Sequence, residues 1–167
     1  IGGSGIYEMP DLTVTSVEEV STPWGQPSGP ITVGELDGVK LLFLSRHGAG
    51  HVIPPSDLNP RANIAALKML GATDVVSLSA CGSFREDMAP GDFVLVAQFI
   101  DRTFAREKSF FGDGMVAHVS VAHPTCPRIG AACLSAAKDA GITVHDGGTY
   151  LAMEGPQFST LAESRMY

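Results

Sequence analysis

Apolar and polar positions along this chain change period several times, and each change predicts an element. Ile31 to Leu36 and Val39 to Ser45 flank Asp37-Gly38. That reads as a β-hairpin, because a two-residue type I′ turn needs φ > 0 at both positions and Asp-Gly supplies it. Asn59-Pro60 then opens a helix: Asn caps, and Pro at the first position loses no hydrogen bond. Ile64, Leu67 and Leu70 recur at helical spacing and Gly71 ends the run. Val75 to Ser79 and Phe93 to Ile100 read as strands. Residues 101–117 read as a long loop holding Phe104, Phe110 and Phe111, a length usually tied to function. Thr125-Cys126-Pro127 starts a second helix carrying Ile129, Leu134 and Ala137 and ending at Gly141, and Gly147 to Met153 is a further strand. Thr160 and Glu163 have the spacing of a capping box, so a last helix starts near Leu161. Strands alternating with helices predict an α/β layered fold. The hairpin makes its central sheet mixed.

The length of 167 residues suits one domain. The chain opens on Ile1 with no initiator methionine and stops two turns into its last helix, so we expect it to be incomplete at both ends. A net charge of −7, with both signs scattered, gives no basic face for a nucleic-acid backbone. It does not oppose a small anion, which is held by local donors. No apolar run reaches the length of a membrane span. Cys81, Cys126 and Cys133 form no C-x-x-C pair. Cys126 and Cys133 stand roughly 10 Å apart along a helix, too far for a disulfide. Buried packing is expected for both, and sparse thiols fit a reducing cytoplasm.

Four segments carry candidate chemistry. Gly2-Gly3-Ser4-Gly5 lets backbone N–H groups approach an anion, and Ser4 adds a hydroxyl. It is neither a P-loop nor a dinucleotide fingerprint. Ser45-Arg46-His47-Gly48 ends the hairpin. The Arg46 fork suits two phosphate oxygens, and His47 is a donor to the same oxyanion or to a ribose; alternatively, Arg46 pairs with a carboxylate such as Asp57. Arg-His-Gly also opens the histidine acid phosphatase signature. That signature wants a second arginine two residues after the glycine, where this chain has Gly50, and His145-Asp146 is its only other trace here. Ser79-Ala80-Cys81-Gly82-Ser83 ends a strand, where α/β sheets gather ligands. Ser79 offers a hydroxyl and Ala80 a backbone N–H. Glu154-Gly155-Pro156-Gln157-Phe158-Ser159 precedes the last helix. There Phe158 is free to stack on a flat base, and Glu154 reads as a structural carboxylate at a turn.

The order and spacing of these segments resemble the trimeric purine nucleoside phosphorylases, and among them the S-methyl-5'-thioadenosine phosphorylases. The resemblance covers the whole chain, whereas members of that family continue well beyond its end. It implies a mixed sheet part-closed into a distorted barrel, flanked by helices, with residues 1–167 as one phosphorylase domain truncated at its C-terminus. It implies a pentosyltransferase of purine and methionine salvage, cleaving methylthioadenosine with phosphate into adenine and 5-methylthioribose 1-phosphate. Inorganic phosphate would be a co-substrate, with no cofactor and no metal. The partners implied are a nucleoside, phosphate and two further copies in a cytoplasmic homotrimer, with no nucleic acid and no membrane.

Residue by residue, the resemblance assigns phosphate to Ser4, Arg46, His47, Ser79 and Ala80. It assigns the purine and ribose to Cys81, Gly82, Phe158 and Ser159. A serine at 159 resembles the type that reads adenine, where guanosine- and inosine-type enzymes carry glutamate. His118 would reach a neighbouring subunit's 5′-substituent pocket. The catalytic acid, an aspartate in the family, is expected beyond Tyr167. Two other readings stand beside this one: a 6-oxopurine or methylthioinosine phosphorylase, and a nucleoside-binding protein without turnover. Phosphate-dependent release of adenine separates them.

Overall fold

The computed structural model describes residues 1–3, 11–112 and 114–167. The chain divides into two compact units, Ile1–Ala80 with Ala105–Gly112, and Cys81–Phe104 with Asp113–Tyr167.

The first unit is built on an antiparallel meander of β1 (Thr13–Glu18), β2 (Ile31–Leu36) and β3 (Val39–Phe43). The hairpin forms at the expected register, Leu36 opposite Val39, with Asp37 and Gly38 at φ of 51° and 76°. β1 was not foreseen. Its Thr/Val run alternates, but a bulge between Val14 and Ser16 breaks the period. Beyond β3, Gly2 pairs with Ser45 as an isolated parallel bridge, giving the first unit both pairing senses. The predicted strand Val75 to Ser79 has no ladder among the described residues. It runs beside Ile1, whose carbonyl accepts from Leu78 N at 3.0 Å.

Helix α1 (Pro60–Met69) meets the first unit's core at Ile31, the first residue of β2, and Leu44, just past β3. Asn59 caps it by accepting from Ala62 N at 3.0 Å, and Gly71 closes it at φ 90°. Of the three expected apolar positions, Leu67 is buried and Leu70 packs against the core, while Ile64 is 40% exposed. Ala62, Asn63, Ala65 and Ala66 are buried as well. Ala66 and Leu67 meet Ile31 and Leu44, both fully buried. Asn63, though polar, is satisfied there: it accepts from Ser28 N at 2.7 Å and donates to Ser28 Oγ at 2.9 Å.

The second unit holds two parallel pairs. β4 (Phe93–Leu95) pairs with β6 (Val144–Asp146), and β5 (Gln98–Asp101) with β7 (Thr149–Ala152). The single strand expected over 93–100 is therefore two. The break is matched on the partner, where Gly147 and Gly148 take φ of 91° and 153°, backbone that only glycine adopts readily. Gly148 O then accepts from both Ala97 N and Gln98 N. Helix α2 (Pro127–Asp139) packs on β4 and β6. Ile129, Cys133, Leu134 and Ala137 form its half-buried face, as the periodicity implied. Cys126 is exposed, contrary to the packing role expected of it, because it caps the helix from outside. Helix α3 (Leu161–Met166) starts with the capping box of Thr160 and Glu163, both halves formed. Among the described residues no helix is long and apolar enough to cross a membrane.

Candidate functional site

The segment Ser45 to Ile53 folds into a tight loop at the end of the hairpin. Ser45 O accepts from Gly48 N at 3.1 Å, and Ser45 Oγ donates to Gly48 O at 3.0 Å. Gly48 sits at φ 72°, and a Cβ there would come within 3.1 Å of Ser28 O. Only glycine fits such a turn without displacing backbone. The turn sets His47 inward, 8% exposed, and aims Arg46 along the strand end.

Three predicted phosphate residues meet here. Arg46 Nη1 donates to Ser79 Oγ at 2.7 Å, joining the hairpin to the end of the 75–79 segment. Arg46 Nε donates to His47 Nε2 at 3.3 Å, and His47 Nδ1 lies 2.9 Å from Ile53 O. The glycine segment reaches the same place, since Gly2 O accepts from Arg46 N at 3.1 Å. Ser4 lies outside the described residues. Ala80 follows Ser79 and is exposed. The alternative of an Arg46–Asp57 pair is not what the geometry forms; the side-chain partners are a hydroxyl and an imidazole.

Arg46 also lines a cavity of about 200 Å³, with Asn63, Ile64, Ser77 and Arg106 among its walls. Two guanidiniums, those of Arg46 and Arg106, thus stand on the wall of one cavity. Arg106 was missed in the sequence. The signal available was a cation inside a long loop between phenylalanines, which reads equally as a solvated charge. That loop is held to α1, where Arg61 pairs with Glu107 at 3.5 Å and donates to Ser109 O at 3.1 Å.

The predicted base-binding residues lie in the second unit. Cys81 and Gly82 are exposed. Phe158 is 92% exposed, an aromatic face without a covering side chain. Ser159 shares a hydroxyl hydrogen bond with Ser164 at 2.7 Å. Glu154, 6% exposed, accepts from Phe104 N at 2.7 Å, the structural use expected of it. His118 is exposed in an irregular segment. His145 pairs with Asp92 at 2.8 Å, and this hydrogen bond is the main cause holding the Asp92 carboxyl below its ordinary range. The His145-Asp146 dipeptide is thus a strand tie and lends nothing to a phosphatase reading. Among the described residues no cluster of three His, Cys, Asp or Glu side chains is arranged to hold a metal.

On an α/β fold, a guanidinium, a hydroxyl and an imidazole thus meet where the hairpin ends, an arrangement suited to an anion. Among known families, the phosphorylase superfamily matches residues 1–167. The chain belongs to the phosphorylase superfamily. It is 66% identical, over its whole length, to an S-methyl-5'-thioadenosine phosphorylase of Cereibacter sphaeroides, and spans 58% of that protein. It is 57% identical to the corresponding enzyme of Bradyrhizobium diazoefficiens and spans 57% of it. Among solved structures, a methylthioadenosine phosphorylase from an antarctic soil metagenomic library superposes with a TM-score of 0.96 at 49% identity, covering 99% of this chain and 59% of that one. The methylthioadenosine phosphorylase of Schistosoma mansoni in complex with adenine superposes at 0.93 and 38% identity, covering 99% and 67%.

Proposed function

We propose that this chain belongs to a protein that cleaves S-methyl-5'-thioadenosine with phosphate, yielding adenine and 5-methylthioribose 1-phosphate. The observation that carries the reading is the Arg46–Ser79–His47 cluster, whose arginine also lines a cavity of about 200 Å³. High identity to relatives named for this reaction supports it.

In the proposed reaction a phosphate oxygen attacks C1′ as the glycosidic bond breaks. The bond's electron pair leaves with adenine, which takes a proton on its imidazole ring. Positive charge develops on the ribose, so an anion held beside it favours the transition state electrostatically. The protein's part is to hold and orient that anion. Arg46 binds it by charge. The Ser79 hydroxyl, the Ala80 N–H and the glycine segment with Ser4 complete the cradle. Phe158 stacks on the purine, Cys81 and Gly82 leave room for the flat base, and Ser159 sets the preference for adenine. The proton donor is assigned to the protein beyond Tyr167. Phosphate is the co-substrate and no cofactor has a role.

The full-length protein is proposed as a cytoplasmic homotrimer, with His118 reaching a neighbour's 5′-substituent pocket. Residues 1–167 are proposed as part of a single domain whose mixed sheet part-closes into a distorted barrel. The test is product formation by the full-length protein from methylthioadenosine, adenosine and inosine, with and without phosphate. Phosphate-dependent adenine release, fastest with methylthioadenosine, is expected. Preference for inosine refutes the role of Ser159, and no release from any nucleoside refutes the phosphorylase reading.

A further inference from the structure

His47 is the natural candidate for a second donor to the anion, yet both of its ring nitrogens are engaged inside the loop. Ile53 O can only accept, so the 2.9 Å contact requires a proton on His47 Nδ1. The Arg46 Nε–H can only donate, so the 3.3 Å contact requires a lone pair on His47 Nε2. Those two demands define a neutral imidazole in one tautomer. The ring is held there from its own backbone, because Ile53 N donates to His47 O at 3.0 Å. Arg46 is in turn fixed at two points, Nε on His47 and Nη1 on Ser79.

We infer that His47 is a positioning residue, an acceptor that orients the Arg46 guanidinium toward the anion, and not itself a donor to that anion. The inference rests on the phosphate role proposed for Arg46. It has a consequence of definite sign. Protonating His47 would place a second N–H against the Arg46 Nε–H and set two cations edge to edge. Among the described residues, the titratable and charged groups facing the ring are Arg46 on its edge and the His51 imidazole, stacked at 4.3 Å and 23°. Anion affinity should therefore fall as acid protonates His47, whereas a donor imidazolium would make it rise.

Two measurements on the full-length protein test this. Sulfate is the probe, because its charge stays constant where histidine titrates, around pH 6.5. Expected is sulfate binding that weakens on the order of tenfold as the solution is acidified, the worth of one charge-assisted hydrogen bond, with the dependence lost in His47→Gln. Sulfate binding that tightens in acid overturns the inference. The second measurement is the nitrogen NMR signature of His47 in the wild-type protein without anion, which needs no folded variant. A proton on Nδ1 and a lone pair on Nε2 are expected, and a proton on Nε2 overturns it. Absence of phosphate-dependent adenine release sinks the phosphorolysis reading separately, since the NMR signature is read without substrate or anion.

Discussion

Replacing Arg46 by alanine removes the cation from the proposed phosphate site without touching the fold's core. The side chain is half-buried, donates 2.7 Å to Ser79 Oγ and 3.3 Å to His47 Nε2, and lines the cavity shared with Arg106. Losing a directed guanidinium contact to an anion in the transition state costs on the order of 2–4 kcal/mol. That corresponds to a loss of roughly 30- to 1,000-fold in kcat/KM for phosphate. The assay is adenine release from methylthioadenosine at varied phosphate, on full-length protein whose thermal unfolding has been compared with wild type. Arg46→Lys keeps the charge but not the planar fork and should recover only part of the loss. A double-mutant cycle with Ser79→Ala should show coupling, since the two side chains touch. A folded Arg46→Ala protein retaining kcat/KM within about threefold of wild type would refute the reasoning, because no charged contact of that worth could then have been present.

Arg106→Ala should raise the KM for phosphate severalfold with little change in kcat, measured by the same assay, because it removes the second guanidinium from the wall of the cavity that Arg46 lines. Glu154→Ala should destabilise the protein by about 1–3 kcal/mol in denaturant unfolding, because it removes the buried side chain that accepts from Phe104 N; Glu154→Gln keeps an acceptor and should cost less. The Asp92 carboxyl is held low by its hydrogen bond to His145. Its contribution to stability is present above the ordinary carboxylate range and lost as pH falls through the lowered folded value. The acid limb of unfolding should therefore be shallower in Asp92→Asn, followed by circular dichroism against pH. Leu44→Ala opens the fully buried centre of the first unit and should cost about 2–5 kcal/mol of stability.

Element identity was legible wherever local chemistry decides conformation. Asp37-Gly38, Asn59-Pro60, Gly71, Gly141 and the Thr160–Glu163 box each satisfy or release particular backbone groups, and each stands where the sequence placed it. Elements failed where pairing partners decide. β1 escaped notice because its bulge disturbs the alternation, and 93–100 was read as one strand because the break is imposed by Gly147-Gly148 some fifty residues on. On α1 the leucines at 67 and 70 marked the core side, but Ile64 is 40% exposed, and Asn63 went inward because Ser28 satisfied both ends of its amide.

The site shows the same division between residue type and geometry. That Arg46, His47 and Ser79 belong together could be argued from small residues and hydroxyls at predicted strand ends, and the loop does bring the three within hydrogen-bonding distance. What no residue pattern carried is direction. A histidine next to an arginine reads as a second donor, and nothing in the sequence tells that Ile53 O lies 2.9 Å from its Nδ1 and Arg46 Nε 3.3 Å from its Nε2. Arg106 was hidden for the opposite reason: its residue type was plain, but only the fold sets it on the wall of the cavity that Arg46 lines. The chain carries a net charge of −7, yet Arg46 and Arg106 line one and the same cavity. Salt screening over about 10 Å confines each charge's influence to its neighbourhood. The local arrangement, not the overall charge, therefore decides which ion the proposed site takes.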